Sequence, residues 1–451
     1  MKITGLITEY NPFHNGHLYH IRKSKEVTGS DYCIALMSGS YVQRGAPAIY
    51  DKYVRTAAAL STGADLVVEM PVSFSTASAM EFASYSIALF SALGIDSVCF
   101  GSECGDIAAL TKIAGLLSDE PVQFKEALRT YLKNGMTFPE ARHRALLSFL
   151  DEEEQEILNS PNNTLGIEYI KAGMMFHSPL DFYTIQREGQ AYHDTALLPE
   201  KAECFTGMAS ASAIRALVES AKGPASANGP GDMPAALRSM VPEPAFRLFK
   251  EEIPVFPDDF STLLNYRILG GGWERIAELT PELDARIRKS AALPVSFEEW
   301  IRALKTRQLT YTRVSRALLH LILDIQESDI CRFKDSGYAP YARILGFRKD
   351  SGPLLSRLKH SSCIPLITKL ADAGKKLDKN ALSMLEQEIR SAHIYQMIRH
   401  TKGGTFRNEY TQGVIISGTG PELQPVSYTH LDVYKRQWLH LLKLIKNLLD
   451  N

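Results

Sequence analysis

Short runs that are apolar at nearly every position, Ile3–Thr8, Tyr32–Met37, Leu66–Met70, Ser97–Phe100 and Phe182–Ile185, alternate with longer stretches such as Lys52–Ser61, Ala79–Leu93 and Val122–Leu132. In the longer stretches apolar residues recur at helical spacing. Continuous apolar runs predict strands covered on both faces, and strands separated by helices predict a parallel sheet with helices on either side. The expected fold class is therefore α/β, a doubly wound parallel sheet over residues 1–222. The segment Ala221–Asp232 is rich in Gly, Pro, Ser and Ala and reads as a linker or surface loop. Beyond it, Pro234 to about His400 reads as successive amphipathic helices, among them Trp300–Leu304, Thr312–Ile325 and Leu382–Met397. A mostly α-helical domain is expected over 233–418, and a chain of 451 residues is long enough for two cores.

Parallel sheets bind ligands outside the carboxyl ends of their strands, where His14, Ser38, Gly101 and Arg187 are expected to converge. The richest stretch follows the first strand: Leu6-Ile7-Thr8-Glu9-Tyr10-Asn11-Pro12-Phe13-His14-Asn15-Gly16-His17. Asn11-Pro12 is a turn signal and Asn15-Gly16 starts a helix, so His14 and His17 fall on one face of its first turn. Free backbone N–H groups and the positive end of the helix dipole attract phosphate there, and imidazole donors can follow charge developing on it. A His-x-x-His pair alone is more often a surface or core pair. The strand and turn in front of this one favour chemistry.

His14-Asn15-Gly16-His17 resembles the His-x-Gly-His signature of the nucleotidyltransferase superfamily. Four wider stretches resemble one branch of it, the tRNA(Met) cytidine acetate ligase family: Gly5–Ala48, Phe100–Glu103, Pro161–Tyr169, and Ile185-Gln186-Arg187 followed by Tyr192-His193-Asp194. The resemblance implies an ATP site over Ile7, Thr8, Glu9, Tyr10, Asn11, Pro12, Phe13, His14, Asn15, Gly16, His17, Leu18, Tyr19 and His20, with Gly101, Arg187 and one or both of Asn162 and Asn163. It also implies a ligase that activates acetate as acetyl-AMP and acetylates N4 of the wobble cytidine of elongator tRNA(Met). ATP would then be a substrate, with Mg²⁺ carried by its phosphates.

Ala209–Arg215 resembles the superfamily's second signature, Ile-Ser-Ser-Thr-x-Ile-Arg, with Ala replacing the first Ile and one Ser. Ser210 or Ser212 is a candidate cap of a helix start that binds the triphosphate of ATP, and Arg215 a candidate to neutralise departing pyrophosphate, against the bland reading of a capped Ala-rich helix with a solvated Arg. Side chains at Gly5, Gly16 or Gly101 would obstruct backbone approach to nucleotide. Asn162 and Asn163 are equally candidate N-caps. Gln43 and Arg44 lie in a loop expected over the site, where solvated residues are nearly as common, and Arg187 has a surface ion pair as its alternative.

The remaining composition narrows the field. Net charge is −1, so only local clustering can argue for nucleic acid. Residues 301–360 hold twelve Lys and Arg against five Asp and Glu, with Tyr311, Phe333, Tyr338, Tyr341 and Phe347 among them. On composition this is an ordinary helical face, and only the resemblance makes it a tRNA-binding candidate. The six cysteines are scattered without a Cys-x-x-Cys pair, no carboxylate cluster suggests a protein-built metal site, and no apolar run approaches membrane-spanning length. A cytoplasmic protein is expected, and oligomeric state is not legible. Residues 425–437 do not resemble the family and read as foreign sequence, so the tail 419–451 is set aside, with a terminal helix from Trp438 to Leu449 as the alternative. Two rival functions remain: a metabolite adenylyltransferase that releases pyrophosphate, and a tRNA-binding scaffold whose nucleotide site only regulates it.

Overall fold

The computed structural model describes residues 1–136, 138–187, 209–221, 234–290 and 295–418. Tyr192–Asp194, residues 222–232 of the linker candidate and the tail from 419 lie outside the described residues.

Ten strands occur among the described residues: β1 (Ile3–Thr8), β2 (Tyr32–Ser38), β3 (Tyr41–Val42), β4 (Ala46–Pro47), β5 (Leu66–Met70), β6 (Ser97–Ser102), β7 (Asp181–Gln186), β8 (Ala342–Arg348), β9 (Leu366–Ile367) and β10 (Ile415–Ser417). One sheet of eight strands runs in the order β10-β8-β5-β2-β1-β6-β7, with β9 also paired to β8, while β3 and β4 form a separate hairpin. The stretch β5-β2-β1-β6-β7 is parallel throughout. Chain order reverses at β1, whose two neighbours are β2 and β6, so the carboxyl ends of β1 and β6 flank the switch point where such sheets open a crevice.

The five expected strands form within two residues of the bounds read from the pattern, and helices α1 (Asn15–Thr28) and α2 (Lys52–Ser61) follow β1 and the β3–β4 hairpin. Two segments depart from expectation, the short β9 (Leu366–Ile367) and the longer β8 beside it. Ala342–Arg348, read within an all-helical stretch, is a strand that pairs antiparallel with β5 and parallel with β10. A seven-residue segment of mixed apolar and basic residues, with Arg343 and Arg348 in it, is ambiguous by periodicity alone. The exposed edge of β5 decides it, because backbone groups there need partners.

Both faces of the sheet are covered. Ile3, Ile34, Leu36 and Val68 point into one core with helix Ala79–Leu93 and helix Pro161–Met175, whereas Leu6, Cys33, Ala35 and Val67 point into the other with α1 and α2. Alternation along each strand is thus apolar on both sides, which is why the runs read as continuous. A third core, around Trp273, Trp300, Leu318 and Leu321, belongs to the helical layer and reaches the sheet region through Tyr41, Val72 and Tyr395.

Candidate functional site

A cavity of about 330 Å³ opens at the carboxyl ends of β1 and β6. Its floor is built by the segment that links β1 to α1. Tyr10, buried and at φ 48°, turns the chain, and its ring meets Phe13 at 4.8 Å and His17 at 4.9 Å between centroids. These contacts hold the loop under the helix start.

His14 is the N-cap of α1, in extended backbone, and its Nδ1 accepts the Gly16 N–H at 3.1 Å. His17, three residues on, returns the bond: its Nδ1 accepts the His14 N–H at 3.2 Å. This is a capping box with imidazoles in place of the usual Ser and Glu. A backbone N–H only donates, so both Nδ1 atoms carry the lone pair and both neutral rings carry hydrogen on Nε2. The rings stack at 3.8 Å between centroids, and both line the cavity. Burial, then the nearby Arg187 and Arg215 guanidiniums, hold His14 down at about 3; burial, then His14 and Arg187, hold His17 well below the ordinary imidazole value. His20 is lowered to about 4 by burial and then Arg187. At neutral pH the site therefore presents uncharged Nε2–H donors rather than imidazolium ions.

The fixed positive charge comes from elsewhere. Helix Ala211–Ser220 is capped by Ser210, whose Oγ accepts the Ala213 N–H at 3.1 Å. Arg215, one turn in, donates to the Asn11 carbonyl at 2.7 Å and to Ser212 Oγ at 3.0 Å, which ties this helix start to the first loop. Arg187 follows β7, and a Cβ at Gly101 would stand 3.3 Å from its Cγ. Glycine there leaves room for the Arg187 stem. Gln43 and Arg44, in the β3–β4 hairpin, close the opposite side, where the Gln43 N–H donates to Glu9 Oε1 at 2.8 Å.

Of the candidate residues, Ile7, Thr8, Glu9, Tyr10, Asn11, His14, Gly16, His17, Tyr19, His20, Gln43, Arg44, Gly101, Asn162, Arg187, Ser210, Ser212 and Arg215 line this one cavity. Pro12, Phe13, Asn15, Leu18 and Asn163 are not in its lining. Asn163 is spent on the scaffold: its Oδ1 accepts the Glu103 and Cys104 N–H groups and its Nδ2 donates to Ile157 O, while Glu103 accepts from Asn162 Nδ2 at 2.6 Å and from the Asn163 N–H at 3.0 Å. Neither Asn is the N-cap of helix Pro161–Met175; Ser160 occupies that position. The glycines also divide. A Cβ on Gly16 would strike His14 Cε1 at 2.9 Å, so that glycine serves the histidine pair. A Cβ on Gly5 would instead meet Phe90 and Ile95 at 2.7 Å, which makes Gly5 a core-packing residue rather than one that clears a path for nucleotide.

Sequence reasoning missed the apolar walls. Phe82, Phe100, Leu165 and Tyr169 line one side, and Val42, Ala46, Pro47, Ile49 and Val255–Pro257 line the other. No local motif marks them. Val255 arrives through the bond from its N–H to Ile49 O at 2.8 Å, across a separation the sequence does not reveal.

Residues 301–360 look different once folded. Phe333, Tyr341 and Phe347 are buried in the core and offer no stacking face. Arg316 pairs with Glu278, Arg332 with Asp329, Lys334 with Glu81, Arg343 with Glu69 and Glu409, Arg348 with Asp350, and Arg357 with Asp96. Four of these six cations are met by acids elsewhere in the chain and two by Asp329 and Asp350 within the stretch.

A parallel α/β sheet with a His-Asn-Gly-His helix start and converging arginines defines a nucleotidyl transferase, and the profile of the HIGH Nucleotidyl Transferase family matches residues 1–409. A tRNA(Met) cytidine acetate ligase of Acetivibrio thermocellus is 38% identical over 431 residues, covering 92% of this chain and 100% of the relative. One of Clostridium perfringens is 37% identical over 409 residues, covering 88% of this chain and 96% of the relative. The chain belongs to the tRNA(Met) cytidine acetate ligase family. Among solved structures, apo Thermotoga maritima TmcAL superposes with a TM-score of 0.83 at 30% identity, covering 93% of this chain and 100% of that one. The same protein bound with alpha-thio ATP gives 0.81 at 29% identity, with the same coverage.

Proposed function

We propose that this protein uses ATP to activate acetate as acetyl-AMP and transfers the acetyl group to N4 of the wobble cytidine of elongator tRNA(Met). The observation that carries the reading is the His14–His17 capping box, which presents two Nε2–H donors beside Arg187 and Arg215 in one cavity. The names of the relatives and the alpha-thio ATP bound by the Thermotoga maritima protein support it.

A carboxylate does not acylate an amine unaided, because oxide is a poor leaving group. Acetate oxygen attacks the α-phosphorus of ATP, the bond to the bridging oxygen breaks, and pyrophosphate leaves with that electron pair. The cytosine amine then attacks the acetyl carbonyl, AMP departs with the C–O electron pair, and the amine loses a proton. His14 and His17 donate to phosphate oxygens as charge builds, Arg215 holds the leaving pyrophosphate, and Arg187 holds the nucleotide's phosphates. The apolar wall of Phe82, Phe100, Leu165 and Tyr169 suits a purine ring, with Asn162 at its edge. Neutral donors fixed by backbone bonds need no reorganisation, so positioning and electrostatics supply the catalysis. Mg²⁺ would be carried by the triphosphate and would neutralise part of its charge.

The test is mass spectrometry of digested tRNA after incubation of the protein with ATP, Mg²⁺, labelled acetate and unmodified tRNA, with AMP and pyrophosphate counted. Label in N4-acetylcytidine with matching AMP is the expected result. ATP consumption with unlabelled tRNA would move the reading to a metabolite adenylyltransferase.

A further inference from the structure

Beneath the crevice lies a guanidinium that no step above uses. Arg55, in the first turns of α2, is completely buried, and no carboxylate stands within ion-pair distance of it among the described residues. Its donors go to backbone carbonyls instead. Nε donates to Tyr50 O at 2.9 Å, Nη1 to Glu9 O at 2.7 Å and Ser38 O at 3.0 Å, and Nη2 to Gly39 O.

The location of those carbonyls gives the arrangement its meaning. β1 ends at Thr8 and β2 at Ser38, and the two are paired in register up to Thr8 opposite Met37. Beyond that point the strands part: one chain becomes the Glu9–His14 loop and the other the β3–β4 hairpin with Gln43 and Arg44. Carbonyls of diverging strands lose their ladder partners just where the crevice opens, and buried carbonyls need donors. Arg55 supplies them from one rigid planar group. A lysine has a single ammonium on a flexible stem and cannot span the same set. Two further bonds couple the loops above the guanidinium, from the Gln43 N–H to Glu9 Oε1 and from the Ile49 N–H to Asn11 Oδ1, each 2.8 Å.

We propose that Arg55 is a positioning residue that sets the width of the phosphate crevice by clamping the carbonyls of Glu9, Ser38 and Gly39. It touches no substrate. It holds the first loop, and with it the His14–His17 pair, at a fixed distance from the hairpin that carries Gln43 and Arg44. The inference rests on the reading of this cavity as the ATP site.

The experiment compares Arg55→Lys with the unaltered protein in two measurements. The first is ATP affinity by calorimetric titration in the presence of Mg²⁺. The second is amide hydrogen exchange without ligand. Arg55→Lys, which keeps the positive charge, is expected to weaken ATP binding at least tenfold and to lower protection at Gln43 and Ile49 at least tenfold, while Leu36 and Val68 inside the sheet keep theirs. Loss of protection at all four amides together, in both Arg55→Lys and Arg55→Gln, would overturn the proposal. So would a folded Arg55→Lys protein with unchanged ATP affinity and unchanged exchange at Gln43 and Ile49. Should the unaltered protein bind no ATP, the function proposed above fails, and the exchange pattern alone decides for or against the clamp. Arg55→Gln, which retains a planar donor without the charge, gives a second folded variant if lysine is not accommodated; the same local exchange pattern is expected.

Discussion

At the scale of single residues, His14 and His17 perform two tasks with one ring each. Nδ1 closes the helix cap and Nε2–H faces the cavity chemistry, so the backbone fixes the tautomer that catalysis needs. His17→Ala is expected to lower ATP–pyrophosphate exchange by about 10²–10³-fold, the cost of one transition-state donor. The lost cap bond should cost only about 1 kcal/mol of stability. Near-normal exchange in the variant would remove His17 from the mechanism. Gly16→Ala tests the same pair by steric means, because the added methyl stands 2.9 Å from His14 Cε1. It should weaken ATP binding at least tenfold in titration while the far-ultraviolet circular dichroism stays unchanged. The motif was legible because its residues are adjacent in the chain. The division of labour between Asn162 and Asn163 was not, since it depends on Glu103, roughly sixty residues away.

At the scale of elements, the start of α1 gathers three neutral imidazoles, His14 buried and His17 and His20 half-buried, and this has a pH consequence. His14, His17 and His20 all have folded-state values depressed below the ordinary 6.5, to about 3 for His14 and about 4 for His20. Below pH 6.5 the unfolded chain takes up protons that the folded chain refuses. Stability from these groups is therefore complete above 6.5 and falls as the solution is acidified toward the folded values. His14 and His20, whose folded values lie below 5, each remove about 2 kcal/mol by pH 5, from 1.36 kcal/mol per unit over the interval below 6.5. Urea midpoints measured from pH 7.5 to 5 should fall steadily, and His20→Gln should flatten the slope; a midpoint rising with acid would contradict the assignment. The helix start at Asn15 could be placed from local signals, and the one at Ala211 to within the choice of Ser210 or Ser212 as cap. That Arg215 reaches back to the Asn11 carbonyl could not, because side-chain direction depends on how the two helices are docked.

At the scale of the whole molecule, a buried charge cluster joins the sheet to the last long helix. Lys52 of α2 meets Glu69 of β5 at 2.6 Å and Glu409 at 3.0 Å, and Arg343 of β8 pairs with the same two acids. Burial alone would lower Lys52, but Glu409 and Glu69 outweigh it and hold the ammonium charged. Burial would likewise raise Glu409, but Lys52 and Arg343 hold it at about 2. Glu388, on helix Lys379–Thr401, is pushed well above the carboxylate range by burial and then by Glu69, against the pull of Lys52 at 3.5 Å. Replacing Lys52 by Met leaves Arg343 as the one cation facing Glu69 and Glu409 and should cost about 3–5 kcal/mol in urea unfolding. A loss below 1 kcal/mol would mean that the cluster tolerates the vacancy. The fold class was readable from alternation of apolar runs and helical stretches. The placement of β8 beside β5 was not, since a short segment takes the structure that offers its backbone groups partners.

The sequence by itself determined the parallel strands, the start of α1 and the histidine pair, because hydrophobic period, turn residues and capping geometry act within a few residues. Only the tertiary structure decided which glycine serves the site, which asparagine faces the cavity and which aromatics wall it. It also decided that the basic run at 301–360 is mostly paired and that Arg55 holds two diverging strands. Each of these depends on groups far apart in the chain, whose meeting is set by packing of three cores rather than by any local pattern.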